Sequence, residues 1–230
     1  MARPLRTLAA AAAALAAACV AALPAQATPA QCGAGSYSYA GVRSATTAFG
    51  VGAGLTAMRP PIVSNGHVAG WVGVGGVGLG PDATDVWLQV GISATAAVGQ
   101  ALYYEVAQPN QAPRYVMLKG HVPVGVTFHV AVLEDRAHRD SWRVWVNGTA
   151  MTNGILLPGS HAAWKPIVTA ESWSGDSAGA CNGYAFRFEH VRVATVPGGG
   201  WQPMTASNPQ SDPGYELTQG PHSLLAASAS

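Results

Sequence analysis

The chain has 230 residues, nearly half of them hydrophobic and only 10% charged, with a formal net charge of +1. A chain this weakly charged lacks the Lys/Arg surface that phosphate-backbone binding requires, which excludes nucleic acid as a partner. Beyond the N-terminal run, no apolar segment approaches the ~20 residues that span a bilayer as a helix.

In chain order, residues 1–27 come first: two arginines, a long Ala/Leu/Val run, and the small-residue end Ala25-Gln26-Ala27. That three-part build predicts a secretory signal peptide cleaved before Thr28, and hence an exported protein with no membrane anchor. Cys19 lies within the apolar run without a lipobox. Cleavage removes Arg3 and Arg6, leaving ten basic residues against eleven acidic ones, so the mature chain is near neutral. Only Cys32 and Cys181 remain, an even pair in an oxidising compartment, and a disulfide between them is expected.

Residues 28–36 read as an N-terminal arm. From residue 37 helical periodicity is almost absent and alternation recurs. "GWVGVG", "VWLQVGI" and "ALYYEVA" read as strands, bounded by Gly, Pro and Asn. In "VTFHVAVL", Val126, Phe128, Val130 and Val132 share one face; in "SWRVWVNG", Trp142, Val144 and Val146 do the same, and Asn147-Gly148 supplies a turn. In "YAFRFEHVRV", Tyr184, Phe186 and Phe188 lie opposite Arg187 and Glu189. About ten short strands with polar turns predict an all-β fold, an antiparallel β-sandwich, over residues 37–204. From residue 205 the Ser/Gln/Pro/Ala composition predicts a flexible C-terminal tail, residues 205–230.

The stretch "ESWSGDSAGACNGYAF" contains GDSAG, a Gly-x-Ser-x-Gly match centred on Ser177. A nucleophile elbow needs a strand before the serine and a helix after it. Here a loop and then a strand follow, so a Gly/Asp/Ser turn is the expected reading. His67, in the Gly-rich "SNGHVAG", lacks the surroundings of a triad histidine. The seven histidines show no metal-ligand spacing, and no metal or cofactor is expected. "GPDATD", with Asp82 and Asp85, reads as an acidic surface loop, and "DRAHRD" as a solvated hairpin tip. Two carboxylates stand apart: Glu105 and Glu171 each lie among apolar and aromatic residues within a strand. Desolvation there raises a carboxyl pKa and suits it to acid/base work; a buried structural acid is the alternative.

Five segments in order, "YSYAGV", "AGWVGVGG", "VWLQVGI", "YYE" and "IVTAESWSGDS", together resemble the glutamic peptidases, or eqolisins, across residues 37–195. The resemblance implies a concanavalin-like jelly roll of two bent sheets and a monomeric secreted endopeptidase acting on protein or peptide substrates at acid pH. It places the catalytic dyad on Gln89 and Glu171: Glu171 as general base and then acid, Gln89 as donor to the oxyanion. It places Trp71, Tyr104, Glu105, Trp173 and Tyr39 in the substrate cleft. The chain departs from the pattern at Gly75, where the family often has Asp, and at Tyr39 and Val106, where it has Trp. Two other readings stay open. A non-catalytic carbohydrate- or surface-binding module would use Trp87, Trp142, Trp145 or Trp164 to stack on sugars. A glycan hydrolase would use Glu105 with Glu171 as its two carboxyls.

Overall fold

In a computed structural model, residues 31–229 are described, and the signal-peptide reading of residues 1–27 lies outside them. The strands run β1 (Gln31–Cys32), β2 (Tyr37–Ser44), β3 (Gly50–Ala57), β4 (His67–Gly76), β5 (Val86–Thr95) and β6 (Gly99–Ala107). They continue with β7 (Arg114–Gly120), β8 (Thr127–Glu134), β9 (Ser141–Val146), β10 (Thr149–Ala150), β11 (Ile155–Leu156) and β12 (Ile167–Trp173). The last six are β13 (Gly179–Ala180), β14 (Ala185–Val196), β15 (Gly199–Pro203), β16 (Ser207–Ser211), β17 (Tyr215–Gln219) and β18 (Ser223–Ser228).

They assemble into an antiparallel β-sandwich of jelly-roll type. The front sheet has the order β16-β2-β12-β4-β5-β6-β7. The back sheet runs β10-β9-β8-β3-β14-β18-β17, with β11 on β9 and β15 on β14. The period-2 pattern decides what lies between them. Val68, Val72, Leu88, Val90, Ile92, Val168 and Ala170 turn inward from the front sheet. Phe128, Val130, Val132, Trp142, Val144, Phe186 and Phe188 turn inward from the back sheet. Each buried Val, Leu, Ile or Phe among them contributes about 1.5–3 kcal/mol by leaving water.

Several expectations meet the structure directly. Asn147 and Gly148 both have positive φ, 49° and 79°, as a tight hairpin between β9 and β10 requires. Cys32 and Cys181 form a disulfide, which pins β1 to β13. The expected flexible tail from residue 205 is corrected: residues 207–228 form three strands, and the sandwich does not end at residue 204. Pro209 disguised β16, yet a proline is tolerated on an edge strand, and β16 is the edge beside β2. In β18, Leu224 and Ala226 alternate into the core. Trp142 is fully buried and Trp164 nearly so, which removes both as sugar-stacking surfaces.

Candidate active site

The inward alternation of the front sheet fixes its outer face. If Val168 and Ala170 enter the core, Thr169, Glu171 and Trp173 must point away from it. The same rule brings out His67, Ala69, Trp71 and Gly73 on β4, Trp87 and Gln89 on β5, Tyr103 and Glu105 on β6, and Tyr37 and Tyr39 on β2. In register, Glu171 sits between Tyr39 and Ala69. Thr169 is opposite Trp71, and Gln89 lies between Gly73 and Glu105.

Small residues hollow this face into a cleft. A Cβ on Gly73 would come within 2.9 Å of the Gln89 Cβ, and one on Gly91 within 2.7 Å of the Trp71 Cβ. Only glycine leaves room for the Gln89 and Trp71 side chains to lie across the sheet. The resulting cleft encloses about 640 Å³, and its walls include Tyr39, His67, Trp71, Gln89, Glu105 and Glu171.

The polar groups in the cleft are partly paired. Gln89 Nε2 donates to the Tyr103 hydroxyl at 2.9 Å, and a carboxamide nitrogen carries a second hydrogen. The Trp87 indole donates to Glu105 Oε1 at 3.1 Å. Burial, and then the charge of Glu171, hold the Glu105 carboxyl above the usual carboxylate range, while the Trp87 hydrogen bond and His67 pull the other way. Burial also raises the Tyr39 and Tyr103 hydroxyls, with Glu171 adding to both. Both hydroxyls stay neutral and able to donate. Trp71 Nε1 is buried and has no hydrogen-bond partner among the described residues. His67 Nε2 lies 3.4 Å from Glu171 Oε1, and the imidazole packs against Trp173 and Tyr37.

A buried amide holds the rim. Asn182 accepts from the Ser64 backbone at 2.9 Å and donates to Asn65 O at 2.7 Å and Trp173 O at 3.0 Å. It thereby ties the start of β4, carrying His67, to the end of β12, carrying Trp173. The segment after β12 is a turn: Ser177 Oγ accepts from Asn65 Nδ2 at 2.7 Å, and no histidine hydrogen-bonds to it among the described residues.

The structure therefore brings Gln89, Glu171, Trp71, Glu105 and Tyr39 to one cleft, with Trp173 at its edge. Tyr104 is a correction: it is 6% exposed, belongs to the core and faces β5 from the inner side. Alternation forbids Tyr104 and Glu105 from sharing a face, and the cleft tyrosine of β6 is Tyr103. The residues missed were Tyr37, His67, Tyr103 and Asn182. Counting alternately from Glu105 and Glu171 finds Tyr103 on the strand of the one and Trp173 on that of the other. Only cross-strand register finds His67.

A second hollow of about 1480 Å³ lies on the outer face of the back sheet, with Trp145, Trp201, His129, His190 and Arg192 among its walls. It has no carboxylate in its lining, so a glutamate-based acid/base cannot operate there. Among the described residues no group of three or more His, Cys, Asp and Glu side chains is placed to hold a metal ion.

No known family profile and no curated protein sequence matches this chain. Solved structures do match in fold. Scytalido-glutamic peptidase with a transition-state analogue inhibitor superposes with a TM-score of 0.58 at 13% identity, over 85% of this chain and 100% of that one. The same peptidase with a peptide-based transition-state analogue gives 0.57 at 12% identity, over 84% and 98%. SCP-B, a member of the eqolisin family of peptidases in complex with the tripeptide Ala-Ile-His, gives 0.55 at 13% identity, over 84% and 98%. The fold is thus that of the glutamic peptidases.

Proposed function

We propose that this chain is a secreted endopeptidase that hydrolyses protein or peptide substrates at acid pH with a Gln89/Glu171 dyad. The observation that carries the reading is the presence of both residues in one cleft of a glutamic-peptidase-like sandwich. A strand scaffold holds such a pair rigidly.

In the proposed reaction Glu171, as carboxylate, takes a proton from a water molecule whose oxygen bonds to the scissile carbonyl carbon. The second Nε2 hydrogen of Gln89 donates to the oxyanion that forms, a contribution that is large in a site walled off from bulk water. Glu171 then returns the proton to the amide nitrogen as the C–N bond breaks, releasing a carboxylic acid and an amine. The unpaired Trp71 N–H supports a cleft built for a guest with acceptors, since a buried donor without a partner costs about 1–3 kcal/mol. Secretion accords with the disulfide, which persists in oxidising compartments.

The test is cleavage of a denatured protein between pH 2 and 8 by the parent chain and by Glu171→Gln. Loss of about 10²–10⁴-fold in kcat is expected for removal of the acid/base. Equal cleavage by the folded variant, or none by the folded parent at any pH, would overturn the reading.

A further inference from the structure

His67 is a feature that the dyad does not use. It opens β4, in register with Trp173 on one side and Thr95 on the other. Its ring is held from two sides and its backbone from a third. Trp173 lies 5.6 Å away between centroids and Tyr37 6.1 Å away, and the backbone carbonyl of His67 accepts from Asn182 at 3.4 Å. So held, it presents Nε2 to Glu171 Oε1 at 3.4 Å.

We propose that His67 is a positioning residue for Glu171, donating from Nε2 to one carboxylate oxygen so that the other faces the attacking water. This rests on the dyad reading above. The geometry supplies the reason. Glu171 has no other side-chain partner among the described residues, and a carboxylate with one oxygen pinned has a fixed free oxygen. The groups facing the pair are otherwise acidic or neutral. Tyr37 and Tyr39 stand on β2, with Asp212 behind Tyr39, and Glu105 and Tyr103 on β6. Arg43, further along the cleft wall, is the other basic side chain there. A protonated imidazole in this setting counters local negative charge and strengthens the hydrogen bond through its own charge.

Two variants separate donor from shape. His67→Gln keeps an N–H donor without an ionisable proton. His67→Phe keeps the ring against Trp173 and Tyr37 but has no donor. Each is first matched to the parent by circular dichroism and melting. For His67→Phe, kcat is expected to fall on the order of 10-fold with KM little changed. His67→Gln is expected to recover most of kcat. Parent-like kcat in both folded variants would overturn the proposal.

A readout without turnover keeps the two readings apart. In ¹⁵N-imidazole NMR spectra the neutral ring of His67 is expected to carry its proton on Nε2, and to lose that preference in Glu171→Gln. An Nδ1-protonated ring, or spectra indifferent to the change at residue 171, sinks the pairing even where the dyad is active. An inactive parent with the expected spectra overturns the catalytic role while leaving the pair standing.

Discussion

Replacing Cys32 and Cys181 together by alanine offers a sharp test of what holds this sandwich closed. The bond spans 149 residues of sequence and fastens the two-residue pairing of β1 with β13. Cross-linking a loop of that length removes about 5 kcal/mol of chain entropy from the unfolded ensemble at 25 °C. The arm it anchors also latches the turn after β12, where Gly35 N donates to Gly175 O at 2.6 Å and Ser174 N to Ser36 O at 3.0 Å. Those bonds connect segments that the rest of the fold already orders, so they stay partly formed without the disulfide. The double variant is therefore expected to lose about 3–5 kcal/mol, within the range for native disulfides. In a domain of this size that lowers Tm by on the order of 10–15 °C. Reversible urea unfolding measures it directly. Because the effect acts on the unfolded chain, the slope of stability against urea should also rise as more surface is exposed. A loss under about 1 kcal/mol with an unchanged slope would refute the entropic reasoning.

Two further predictions concern the cleft. Glu105→Gln keeps an acceptor for Trp87 Nε1 but removes a carboxyl whose pKa is raised in the folded chain by burial and by Glu171. The folded state holds that proton longer than the unfolded state, so the parent's stability is full below the unfolded value and is lost as pH rises through the folded one. The variant should gain on the parent between acid and neutral pH; a stability difference that does not vary with pH in urea titrations contradicts this. Asn182→Ala strips partners from Ser64 N, Asn65 O and Trp173 O, and should cost about 2–4 kcal/mol while loosening the rim that carries His67 and Trp173. A melting temperature equal to the parent's would show that the amide is dispensable.

Alternation explains how much of the cleft was legible in advance. Glu171 in "IVTAESW" and Gln89 in "VWLQVGI" announce themselves as polar residues inside apolar strands, and each is buried on the outer face. The resemblance places Tyr104 in the cleft, but period 2 along β6 turns Tyr104 into the core and makes Tyr103 the companion of Glu105. β16 escaped because edge strands bury little and so carry little hydrophobic signal. His67 escaped for a different reason: 104 residues separate it from Glu171, and nothing local to "SNGHVAG" marks that contact.

The sequence by itself determined what is local. Side chains alternate along a strand, turns require Asn-Gly, two cysteines remain to pair, and a carboxylate among aromatics will be desolvated. These follow from the chemistry of a few neighbouring residues. Tertiary structure alone decided what depends on register between distant strands. The cleft exists because β12 and β5 both pair with β4, at positions that place Glu171 beside Ala69 and Gln89 beside Gly73. A shift of one residue in either pairing would keep every strand and turn its polar side chain into the core.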